Sequence, residues 1–163
     1  MLIEGCYIRT GDDAIAIKAG EDEYGYGYGV GSHNITVRDC VLSSPCAAFA
    51  IGSEMSGGVS HVRVSNCRMW DSTAAVHIKS GPGRGGFVRD VVLEQLQFDG
   101  ASEGFMIDLV STHQRFVTGL SPRCRLTQTV AANRTPTLTC RTTRLTTSIS
   151  RQCPSCATLR RAT

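Results

Sequence analysis

The chain has 163 residues, 41% of them hydrophobic, with 17 glycines and a formal net charge of +3, which suits one domain with its own core. No apolar run approaches the roughly eighteen residues of a membrane-crossing helix, and Met1-Leu2-Ile3-Glu4-Gly5-Cys6 has neither the basic nor the apolar region of a secretory leader. The charge is unevenly placed: residues 1–109 hold all fourteen acids and eight bases, whereas 110–163 hold nine arginines, thirteen threonines and no acid.

In chain order, Leu2 to Cys6 opens a series of alternating apolar and polar segments with the period of a strand. The series continues as Ile35–Leu42, Val62–Met69 and Val91–Phe98, and its steps along Cys6, Cys40, Cys67 and Leu96 are 34, 27 and 29 residues. A shorter series follows each member: Ala14–Lys18, Ala48–Gly52, Ala75–Lys79 and Gly104–Asp108. Its steps along Ile17, Ile51, Ile78 and Ile107 are again 34, 27 and 29. Two strand series with identical steps mean that whole turns of a solenoid repeat. The fold class is therefore all-β, a parallel β-helix of about four coils over 1–109, in which each coil buries its inward side chains against the next. Cys6, Cys40 and Cys67 then form one internal column, where cysteine acts as a small hydrophobe. His33 and His61 read as turn residues at equivalent starts of the long strands. The extra length of the first coil, Glu21–Ser32, alternates Gly and Tyr and reads as an exposed loop, either a flap or a place for tyrosines to stack on sugar rings.

Chemistry concentrates at Gly11-Asp12-Asp13, two adjacent carboxylates at the turn into a short strand. Inverting cleavage of a glycosidic bond needs an acid for the leaving oxygen and a carboxylate to activate water. Like charges side by side can raise one pKa and keep that group protonated. A solvated turn or a calcium ligand would use the same residues. The coil alignment sets Asp12 and Asp13 above Cys46 and Ala47. Lys79 follows two coils later, ~10 Å along the axis, a cation suited to a uronic acid carboxylate. Arg84, on the next turn, could serve likewise.

The phrases Ile8-Arg9-Thr10-Gly11-Asp12-Asp13-Ala14-Ile15-Ala16-Ile17-Lys18, Ala50-Ile51-Gly52-Ser53-Glu54-Met55-Ser56-Gly57-Gly58 and His77-Ile78-Lys79-Ser80-Gly81-Pro82-Gly83-Arg84-Gly85-Gly86 resemble the polygalacturonase family of glycoside hydrolases (family 28), in particular its plant and bacterial exo-type members. The resemblance implies a right-handed parallel β-helix and inverting hydrolysis of α-1,4 galacturonide links in the cell wall, by a secreted monomer acting on pectin or polygalacturonate. It gives Asp12 the role of general acid and Asp13 that of water-activating carboxylate. His77-Ile78-Lys79 takes the place of the family's carboxylate-gripping Arg-Ile-Lys phrase, with Lys79 the faithful match and His77 lacking the arginine fork. No metal or cofactor is required. The family's first catalytic aspartate would lie upstream of Met1, and its histidine has no counterpart near Cys46. The expectation is a truncated member, with an inactive pectin-binding remnant as the rival and a calcium-dependent pectate lyase as a third reading.

From Val110 the strand pattern fades, and 110–163 is expected to be a basic, poorly structured tail; the switch suggests a shifted reading frame or intron read-through. No aromatic residues interleave its arginines as a nucleic-acid site would require, and Cys153-Pro154-Ser155-Cys156 has no second pair at zinc-ribbon spacing.

Overall fold

The computed structural model describes residues 1–81, 83–108, 137–149 and 157–160. Three strands make each turn of the first three coils: β1 (Leu2–Glu4), β2 (Tyr7–Arg9) and β3 (Ile15–Ile17), then β4 (Ser32–Arg38), β5 (Val41–Ser43) and β6 (Ala47–Ile51), then β7 (Val59–Ser65), β8 (Arg68–Trp70) and β9 (Ala74–Lys79). In the fourth coil the first two strands run together as β10 (Phe87–Asp99), followed by β11 (Glu103–Asp108). A helix, α1 (Asp22–Tyr28), leaves the first coil after β3. One sheet orders its strands β1-β4-β7-β10-β8-β5-β2 and the other β11-β9-β6-β3. The architecture is a right-handed parallel β-helix.

Every expected step recurs in the ladders. Leu2 faces Thr36, Ile35 faces Val62 and Val62 faces Val91. In the second sheet Ile15 faces Phe49, Phe49 faces Val76 and Val76 faces Phe105. Parallel in-register pairing stacks like on like, so the interior fills with columns such as Val37, Val64 and Leu93, all fully buried. Cys40 and Cys67 stand in the cysteine column above a partly buried Cys6, and each thiol donates to the carbonyl two residues back, 3.1 to 3.2 Å away. Burial pushes the Cys67 thiol up to about 11, which leaves it a chemically quiet core group.

The corners of the coils stack as well. Asn34, His61 and Asp90 form one column of left-handed residues, and Gly5, Asp39, Asn66 and Gln95 another. Such a φ suits short polar side chains that bond locally, and the Asn66 amide donates to the Asp39 carboxylate at 2.6 Å. This corrects the histidine alignment. His61 stacks with Asn34, while His33 pairs with Ser60 one position earlier.

Two further differences have physical causes. The Gly/Tyr stretch expected as a loop contains α1, which is seated by contacts distant in sequence: the Asp22 N–H donates to the Ser56 hydroxyl at 2.8 Å, and Gly25 packs against Gly20 and Ser56 so closely that a Cβ would lie 2.6 Å from that of Ser56. Within the tail, β12 (Thr137–Ile149) runs antiparallel along the free edge of β10, and β13 (Ala157–Arg160) pairs with β12. The threonines of β12 suit a strand, and the edge of a last coil offers open backbone donors and acceptors. The rest of the tail, including Cys153 and Cys156, lies outside the described residues. No described helix is long and apolar enough to cross a membrane.

Candidate active site

The Asp12–Asp13 turn precedes β3 and is held by the coil above it. The buried Ser44 hydroxyl donates to the Asp12 carbonyl at 2.7 Å and accepts from the Cys46 N–H at 3.0 Å. Thr10 donates to the same carbonyl. The Asp12 carboxylate accepts from the Asp13 N–H at 2.7 Å, and the Asp13 carboxylate accepts from the Ala47 N–H at 3.1 Å. The expected register of the pair over Cys46 and Ala47 is therefore the observed one.

Lys79 comes closer to the pair than axial counting implied. Its ammonium lies 2.7 Å from the second oxygen of Asp13, whose side chain is 8% exposed against 20% for the lysine. The four-carbon arm of lysine spans the coil separation. In the free chain, this cation already has a carboxylate.

Asp12 departs from the expected electrostatics. Its pKa is lowered, first by the Asp13 N–H and then by the Cys46 thiol, with Lys79 and Lys18 adding to the effect. Instead of a like-charge elevation, the donors stabilise the anion and outweigh the small opposing effect of burial. A proton donor at this position needs substrate to change its surroundings. Burial raises the pKa of Cys46, and the charge of Asp12 adds to this.

His77 pairs in register with Ala50 on one side and Met106 on the other. Its pKa is lowered, first by burial and then by Lys79, which favours the neutral ring, and its Nε2 is buried with no hydrogen-bond partner among the described residues. It can offer a hydrogen bond but not the charge of the arginine it replaces. Arg84 is engaged elsewhere, 2.9 Å from Glu21 and 3.7 Å from Glu54.

Glu54 pairs with Lys18, a contact that coil register alone does not reveal. Glu54 accepts from Lys18, which lowers its pKa from 4.5 to about 2. A depressed carboxyl contributes stability that is complete above its unfolded pKa and is lost as pH falls through the folded value. Wild-type stability should therefore decline as pH drops from about 4.5 to about 2, with Glu54→Gln showing a shallower decline. Urea midpoints across that range measure this, and parallel curves would refute it.

The donor atoms of Asp12, Asp13 and Cys46 lie within 4.8 Å of one another, the one such group of three among the described residues. A thiol beside two carboxylates suits a softer cation than the calcium of a lyase.

The glycosyl hydrolases family 28 model matches residues 1–133. A probable polygalacturonase of Vitis vinifera is 46% identical over 90 residues, 55% of this chain and 18% of that protein. A polygalacturonase of Chamaecyparis obtusa is 31% identical over 110 residues, 65% of this chain and 19% of that protein. Among solved structures, a hyperthermoactive exopolygalacturonase from Thermotoga maritima superposes with a TM-score of 0.53 at 42% identity, over 55% of this chain and 20% of that one. The chain thus spans about a fifth of the length of these relatives. With its repeat, its stacked coils and its paired aspartates, the chain belongs to glycoside hydrolase family 28.

Proposed function

We propose that residues 1–108 carry part of a polygalacturonase-type site that hydrolyses α-1,4 galacturonide links of pectin by inversion, in a secreted, monomeric protein acting at the cell wall. The observation carrying this reading is the Asp12–Asp13 turn with Lys79 at 2.7 Å, three groups from two coils brought to one place. Asp12 would protonate the leaving oxygen. Asp13 would activate water, and Lys79, released from Asp13, would take a uronate carboxylate with a hydrogen bond from His77. Arg84 would join a neighbouring subsite if Glu21 gave way.

Reducing-sugar release from polygalacturonate, measured in EDTA, tests the reading. Asp12→Asn should lower the rate by roughly 10²–10⁴-fold, the usual contribution of an acid–base group. Equal rates for both proteins would sink it. A second reading, a pectin binder without turnover, is favoured by the lowered pKa of Asp12 and by the Lys79 charge already spent on Asp13. It predicts polygalacturonate binding with no release from either protein.

A further inference from the structure

We propose that helix α1 is a stacking platform for uncharged pyranose rings of a pectic chain; this rests on the reading above that galacturonides are the substrate class. Tyr24 and Tyr28 stand one helical turn apart, ~6 Å along the axis, on the same face of the helix. They are 77% and 78% exposed, and Val30, just past the C-cap, is 74% exposed. Large aromatic side chains gain from burial, so two on one helix face form a surface with unspent contact area.

The helix is held firmly in place. Ser56 fixes its first turn through the Asp22 N–H, Gly25 is wedged against Gly20 and Ser56, and Arg84 holds Glu21 at 2.9 Å. The same Arg84 lies 3.7 Å from Glu54, which accepts from Lys18 at the end of β3. This network of paired charges joins the platform to the strand that follows the Asp12–Asp13 turn.

Gly27 supplies the second observation. A glycine within a helix costs about 1 kcal/mol relative to alanine, yet a Cβ at Gly27 would meet nothing within 4 Å, and no positive φ requires glycine there. Packing explains Gly25 and the left-handed C-cap explains Gly29; neither explains Gly27. Gly27 lies between Tyr24 and Tyr28 in the chain, and its lack of a side chain leaves the helix surface at that point open, room that a flat ligand over the tyrosines could use.

Charge selects the ligand. Asp22 and Glu23 occupy the first turn of the helix, so the field around the rings is negative and repels free uronates. A galacturonide with its carboxyl esterified keeps the ring face and loses the charge.

The test compares binding of highly methyl-esterified pectin and of polygalacturonate to the full chain by affinity electrophoresis. Tyr24→Ala/Tyr28→Ala and, separately, Gly27→Leu should each weaken binding of the esterified polymer about tenfold, a difference of about 1.4 kcal/mol. Polygalacturonate binding should change less than about threefold on the same scale. Gly27→Leu raises helix propensity and should melt no lower than wild type, which separates blocked stacking from misfolding. Unchanged binding in the variants, or equal losses on both polymers, would overturn the proposal. Wild type that binds polygalacturonate but not the esterified polymer would overturn the platform alone. Wild type that binds neither would remove the functional reading and the platform with it.

Discussion

Gly52→Ala is expected to lower the unfolding free energy by about 3 kcal/mol or more, the range of forced overpacking combined with backbone strain. Gly52 follows β6 directly, with φ at +96°, a conformation that L side chains rarely adopt. A Cβ there would also lie 1.9 Å from the carbonyl oxygen of Lys79 in the coil above. The obstacle is backbone, so no rotamer change relieves it; the second and third coils would have to move apart. That displacement carries Lys79 with it, so loss of polygalacturonate binding should accompany loss of stability. Urea unfolding followed by circular dichroism measures the effect, and a variant within ~1 kcal/mol of wild type would show that the coils yield more easily than their packing indicates.

Lys79→Met should also be strongly destabilising, by about 2–3 kcal/mol, somewhat less than the full cost of breaking a buried ion pair because the lysine keeps some solvent. Removing the ammonium leaves the nearly buried Asp13 carboxylate with the Ala47 N–H as its remaining described hydrogen-bond donor. Methionine preserves much of the apolar arm, so the charge rather than the packing is tested. Adding Asp13→Asn to Lys79→Met should recover a large part of the loss, since the uncompensated charge is then gone. A double-mutant cycle on urea midpoints reads the coupling directly. If the double variant is no more stable than Lys79→Met alone, the pair does not hold the coils together.

The fold was legible because a solenoid writes its register into the chain. Once the steps along Cys6, Cys40 and Cys67 agreed with those along Ile17, Ile51 and Ile78, the pairing of every long strand followed, and Leu2 with Thr36 or Phe49 with Val76 is its outcome. The one-residue error at His33 and His61 arose where a left-handed corner, rather than an alternating pattern, sets the alignment. Helix α1 was not legible because its supports, Ser56 and Gly20, lie outside the Gly/Tyr stretch, and the two glycines within the helix, Gly25 and Gly27, argue locally against it. At the site, register located Asp12 and Asp13 over Cys46 and Ala47. Backbone counting could not show that Lys79 reaches Asp13, that Arg84 turns to Glu21, or that hydrogen-bond donors lower the pKa of Asp12. Those outcomes depend on where long side chains end.

In-register stacking also makes the coil a unit of heredity. A deletion of the 27 residues from Ile35 through His61, one full step of the ladder, would let every ladder close again, with Ile15 facing Val76 instead of Phe49. The backbone of each coil pairs only with that of its neighbours, so the shortened solenoid keeps its packing rules. The cleft would not survive the change, because Lys79 would move to the level of Gly52, one coil from Asp13 instead of two. Lineages of such a protein can therefore change length in whole coils without losing the ability to fold, whereas a site assembled across three coils is tied to their absolute number.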